Sequence, residues 1–191
     1  MSGSGLRAYS PLEGVRLPAR VRELPYLAQV DLRADPTDAA LMARLTSVIG
    51  ARPPTEPNTA VVSDDGTRHV LWLGPDEWLI LGEPGSASAL EAAVCDAIGE
   101  GRGAVVDVSA NRTTLSVSGP RARELLAFGC SLDLDPPRFG PGRCAQTMLA
   151  RANVIIAPVG PPEEPSFRVL VRPSFAAYLA EWLTDAAVGL D

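Results

Sequence analysis

The sequence predicts an α+β fold assembled from two similar halves, on three observations. Strands and helices follow one another as β-α-β-β-α-β through the first half. The second half opens in the same order. One segment from each half, EWLILGEPGSASALEAAVCDA and SFRVLVRPSFAAYLAEWLTDA, can be superposed without a gap. Pro84 then meets Pro173, Leu90 meets Leu179, and Asp96-Ala97 meets Asp185-Ala186.

In the first half, Tyr26 to Arg33 (YLAQVDLR) reads as a strand. Asp35 or Thr37 caps a helix through DAALMARLTSVI, and Gly50 stops it. Prolines keep ARPPTEPNT a loop. HVLWLG and EWLILG flank Gly74-Pro75-Asp76 as a hairpin. Ser86 or Ser88 opens a helix through ALEAAVCDAI, Gly99 ends it, and AVVDVS reads as a buried strand. The set is one ferredoxin-like unit.

In the second half, TTLSVSG is a strand and PRARELLAF a helix, with Pro120 at its first turn and Gly129 beyond its end. After the loop CSLDLDPPRFGPGR, CAQTMLA and NVIIAPV read as strands around Arg151-Ala152, and FRVLV as another. Pro173 and Ser174 open the last helix, with Phe175, Leu179, Trp182 and Leu183 at the spacing of one apolar face. The predicted architecture is two fused ferredoxin-like βαββαβ-type units in a single compact domain, 26–191, with halves at about 26–110 and 111–191.

Residues 1–25 fall outside this pattern and read as an extended N-terminal arm. Arg7, Arg16, Arg20 and Arg22 outnumber Glu13 and Glu23 there, so the arm is basic on a chain of net charge −6. It either straps its own domain or grips a partner. The Cys130–Arg143 loop carries Leu132, Leu134 and Phe139, apolar groups expected to need a partner surface.

Composition narrows the function. All basic residues are Arg, which excludes a Schiff-base or P-loop lysine. No basic cluster points to nucleic acid, and no apolar run approaches the roughly 20 residues that span a bilayer. Three cysteines with no CxxC, and no secretory leader, fit reduced thiols in the cytoplasm. One histidine and unsuitable spacings leave no zinc motif.

Catalytic signals are sparse. GEGRG (Gly99 to Gly103) follows a helix and precedes a strand, the reverse of a dinucleotide loop. His69 has no identifiable nucleophile beside it. Cys95 reads as a core thiol, and Cys144 as a plain strand cysteine or, alternatively, a thiol whose pKa the neighbouring Arg143 lowers. Asp107 interrupts an apolar run, so it is expected to be buried and paired, by Arg112 as a structural ion pair or by turn amides, unless it holds a ligand. Trp72 and Trp78 straddle the hairpin turn, whose ribbon is apolar on both faces.

SPLEG, LGPDEWLIL, VVDVSANRTTLSVSGPRARELLAFGCSLDL and FRVLVRPSFAAYLAEWL, in that order, resemble the gamma subunits of heterotetrameric sarcosine oxidase. The resemblance implies the fold of the folate-binding aminomethyltransferases. It also implies a non-catalytic subunit that supports a complex oxidising sarcosine to glycine and passing the one-carbon unit to tetrahydrofolate. The partners implied are alpha, beta and delta subunits. FAD, FMN, NAD, tetrahydrofolate and zinc are expected on those, and no catalytic, cofactor or metal residue on this chain. The alternative is a stand-alone folate-binding aminomethyltransferase-like protein. Against it, the Lys-Gly-Cys-Tyr signature of one related folate-dependent family is absent, and GRCAQ (Gly142 to Gln146) only echoes it.

Overall fold

A computed structural model describes residues 9–190. Its elements are β1 (Val21–Leu24), β2 (Ala28–Ala34), α1 (Ala39–Ile49), β3 (Ala60–Val62), β4 (His69–Gly74), β5 (Glu77–Gly82) and α2 (Ala87–Ile98). After these come β6 (Gly103–Asp107), β7 (Thr113–Ser118), α3 (Ala122–Ala127), β8 (Ala145–Leu149), β9 (Ala152–Pro158), β10 (Ser166–Val171) and α4 (Pro173–Ala187). They build two five-stranded sheets, ordered β3-β4-β5-β2-β6 and β8-β9-β10-β7-β1. The two orders correspond strand for strand, and the superposed segments fall on β5-α2 and β10-α4, as two related units require.

Local chemistry sets the helix ends. Asp38, rather than Asp35 or Thr37, caps α1 by accepting from the Leu41 N–H at 2.9 Å. Asp35 instead accepts from Thr37 in the preceding turn. Gly50 closes α1 at φ 79°, where a side chain would be strained. Pro173 sits at the start of α4, where its missing N–H costs nothing.

Packing forms four layers. Leu41, Met42, Leu45 and Leu90 bring α1 and α2 onto one sheet, against Val30, Leu32, Trp78 and Ile80. Leu125, Leu126, Leu179 and Leu183 bring α3 and α4 onto the other, against Leu115, Phe167 and Val169. Between the sheets lie Leu71, Leu79 and Leu81 facing Ile155, Ala157 and Leu170. The hairpin is therefore apolar on both faces because helices cover one and the chain's own second sheet covers the other. Trp78 is fully buried and its indole N–H donates to the Pro54 carbonyl at 2.7 Å.

Two expectations about boundaries need correction. The second half does not complete its own sheet: the position held by β6 in the first unit is held in the second by β1, from within residues 1–25. Leu12 is buried in the second core, and Ser10 and Thr113 both donate to Glu23, so residues 9–24 are part of the domain. The Cys130–Arg143 loop likewise seats its apolar side chains in its own domain, while most of its polar residues stay exposed. Leu134 and Phe139 are buried in the second core, and Leu132 packs against it half-buried. The loop's end joins the two halves, with the Ala60 N–H donating to the Gly142 carbonyl at 2.9 Å and the Cys144 N–H to the Asn58 carbonyl at 3.0 Å.

Two further differences concern exposure. β6 is an edge strand and mostly exposed, not a buried one. On α4 the buried face is Ala176, Leu179, Ala180 and Leu183, leaving Phe175 43% exposed. No helix among the described residues is long and apolar enough to cross a membrane.

Candidate functional site

The inner face of the second sheet is apolar only where the first sheet covers it. Leu170 on β10 pairs with Thr114 on β7 and with Ile155 on β9. Strand side chains alternate between faces. Moving two residues outward along each strand, Leu170 gives way to Arg172, Thr114 to Arg112 and Ile155 to Asn153. These three, with Gln146, Met148 and Phe175, line an open cleft of about 620 Å³. Met148 is 50% exposed and Phe175 43%.

Arg112 also borders a second cleft, of about 550 Å³, whose walls include Tyr9, Tyr26, Asp107 and Pro173. Its guanidinium is held below its usual pKa, first by burial and then by the neighbouring Arg172 charge. Asp31 and Glu77 act in the opposite direction but do not outweigh these. Among the described residues, neither Arg112 nor Arg172 makes a side-chain hydrogen bond or ion pair. Arg112 does anchor the first unit through its backbone: its carbonyl accepts from Gln29 Nε2 at 2.6 Å.

The expected Asp107–Arg112 ion pair is absent. Asp107 is exposed at the end of edge strand β6, and its carboxylate accepts from the Ser109 N–H at 2.9 Å and the Ser109 hydroxyl at 2.5 Å. The turn amide is its partner, and no burial cost forces a charge partner on it. Arg7 lies outside the described residues. Arg16, Arg20 and Arg22 are exposed. Phe175 was read as part of the apolar face of the last helix, and Arg172, Gln146 and Asn153 were not singled out by sequence as site residues. The only hint of them was that an Arg directly precedes the proline opening a helix.

The other reactive side chains are quiet. His69 is half-buried on β4, and burial together with the Arg168 charge lowers its pKa to about 4, so it is neutral at pH 7. Cys144 is fully buried and its thiol donates to the Thr59 carbonyl at 3.1 Å. Burial raises its pKa to about 11; Arg143 does not activate it and instead pairs with Glu56 at 3.1 Å. Cys130 is buried, whereas Cys95 is exposed on α2, not in the core. Among the described residues, no group of three or more His, Cys, Asp or Glu side chains is placed to hold a metal.

Residues 33–189 match the model of the sarcosine oxidase gamma subunit family. The chain belongs to that family. It is 37% identical over 167 residues to the sarcosine oxidase subunit gamma of Corynebacterium sp. (strain P-1), covering 87% of this chain and 79% of that protein. Against the Arthrobacter sp. subunit gamma it is 39% identical over 166 residues, covering 87% and 78%. Among solved structures, a chain of heterotetrameric sarcosine oxidase from Corynebacterium sp. U-96 superposes with TM-score 0.81 at 33% identity, covering 95% of both chains. The glycine cleavage system aminomethyltransferase T from Bartonella henselae shares the fold, with TM-score 0.64 at 14% identity. This chain spans only 44% of that protein.

Proposed function

We propose that this chain is the gamma subunit of a heterotetrameric sarcosine oxidase and supports assembly and stability of that complex without taking part in the chemistry. The observation that carries the reading is the family membership over residues 33–189, together with a structural likeness covering 95% of a chain of such a heterotetramer. In this reading alpha, beta and delta subunits are the partners. FAD, FMN, NAD, tetrahydrofolate and zinc sit on those chains, where sarcosine is oxidised to glycine and the one-carbon unit passes to tetrahydrofolate. Cys144 supports the reading: its thiol is buried, hydrogen-bonded and held at a raised pKa, which leaves it a poor nucleophile. A stand-alone aminomethyltransferase-like role is not favoured, because the likeness to such an enzyme extends over less than half of it.

The test is co-expression of the other subunits with and without this chain. The reading expects a sarcosine-oxidising complex that assembles in good yield only when the chain is present, and a purified chain that does not bind tetrahydrofolate. Micromolar tetrahydrofolate binding by the lone chain, with no effect on assembly, would overturn it.

A further inference from the structure

The Arg112–Arg172 cleft has an unbalanced charge for a protein of net charge −6. Its other polar walls, Gln146 and Asn153 among them, are neutral, and no carboxylate lines it. Two guanidinium groups act on one another there, one of them half-buried, and the Asp31 and Glu77 charges do not offset burial and the Arg172 charge, so a further anion between the two would be stabilised. Arginine forks suit carboxylates, and arginine is enriched in interface cores beside aromatic and methionine side chains. Met148 and Phe175 supply that apolar surround, both substantially exposed in the isolated chain. The cleft sits where the inner face of one sheet runs beyond the cover of the other, so its rim is open to an approaching chain.

We propose that this cleft is a docking site for an acidic segment of a partner subunit, with an Asp or Glu carboxylate seated against Arg112 and Arg172 and its neighbours packed on Met148 and Phe175. The inference rests on the reading that the chain works inside a multi-subunit complex.

The experiment compares wild type, R112Q/R172Q and R172Q in co-assembly with the other subunits across stepped salt, each beside a melting curve of the isolated full chain. Wild-type assembly should weaken with salt. R112Q/R172Q should assemble at least about tenfold more weakly while melting at or above the wild-type temperature, because the like-charge pair is gone. If R112Q/R172Q does not fold, R172Q alone carries the test, since Arg172 is exposed. A wild-type chain that fails to assemble at all would overturn the subunit reading itself. Wild-type assembly matched by both variants would overturn the docking site alone, whether or not a free anion such as citrate raises the wild-type melting temperature.

Discussion

Val21 on β1 lies opposite Val117 on β7, and this antiparallel pairing places a strand from residues 1–25 at the edge of the second sheet. A five-stranded sheet whose edge strand comes from the N-terminal segment cannot be completed by residues 111–191 alone.

Removal of residues 1–24 is therefore expected to destabilise the isolated chain rather than trim an accessory arm. Burial of Leu12 and Val21 is lost together with the β1–β7 ladder. The cost should be at least about 3 kcal/mol, a drop of roughly 6–12 °C in melting temperature. A melting curve checks this.

Asp107→Ala should cost only about 0–1 kcal/mol, because the side chain is exposed and loses only its bonds to Ser109. Denaturant unfolding measures the difference. A loss of several kcal/mol would mean that a buried pair exists after all.

His69 makes stability depend on pH. Its folded pKa, about 4, lies below the unfolded value of 6.5. The fold thus favours the neutral ring: the contribution is complete above about pH 6.5 and is lost as pH falls through 4. His69→Gln should remove that slope. Discounted for partial exposure, the gap between wild type and variant should change by about 1–2 kcal/mol between pH 7 and pH 4.

The three thiols should separate cleanly. Cys95 is exposed, whereas Cys130 and Cys144 are buried. A thiol reagent at neutral pH should titrate one group quickly and the other two only on unfolding. Fast reaction of Cys144 would contradict its hydrogen-bonded, high-pKa setting.

The element order and the internal repeat were legible in the sequence because strands, capped helices and glycine stops are local signals. β1 and the short β3 were not, since both owe their existence to pairing with distant strands. Burial was legible where periodicity decides it, as at Leu179 and Leu183, and failed where sheet position decides it. AVVDVS is apolar enough for a core strand, yet β6 is an edge, so Asp107 needed no charged partner. Leu134 and Phe139 were misread for the converse reason: a loop that looks unsupported in sequence folds over its own core. The arginine cleft was invisible because Arg112 and Arg172 come together only through the pairing of β7 with β10.

The most direct test of the subunit assignment is native mass spectrometry of the complex recovered through a tag on this chain from cells that express all its partners. The account predicts one copy of this chain with one copy of each of three larger or smaller partner chains, in an assembly that oxidises sarcosine. Recovery of this chain alone, or only as copies of itself, while sarcosine oxidation remains in the unbound fraction, would contradict it.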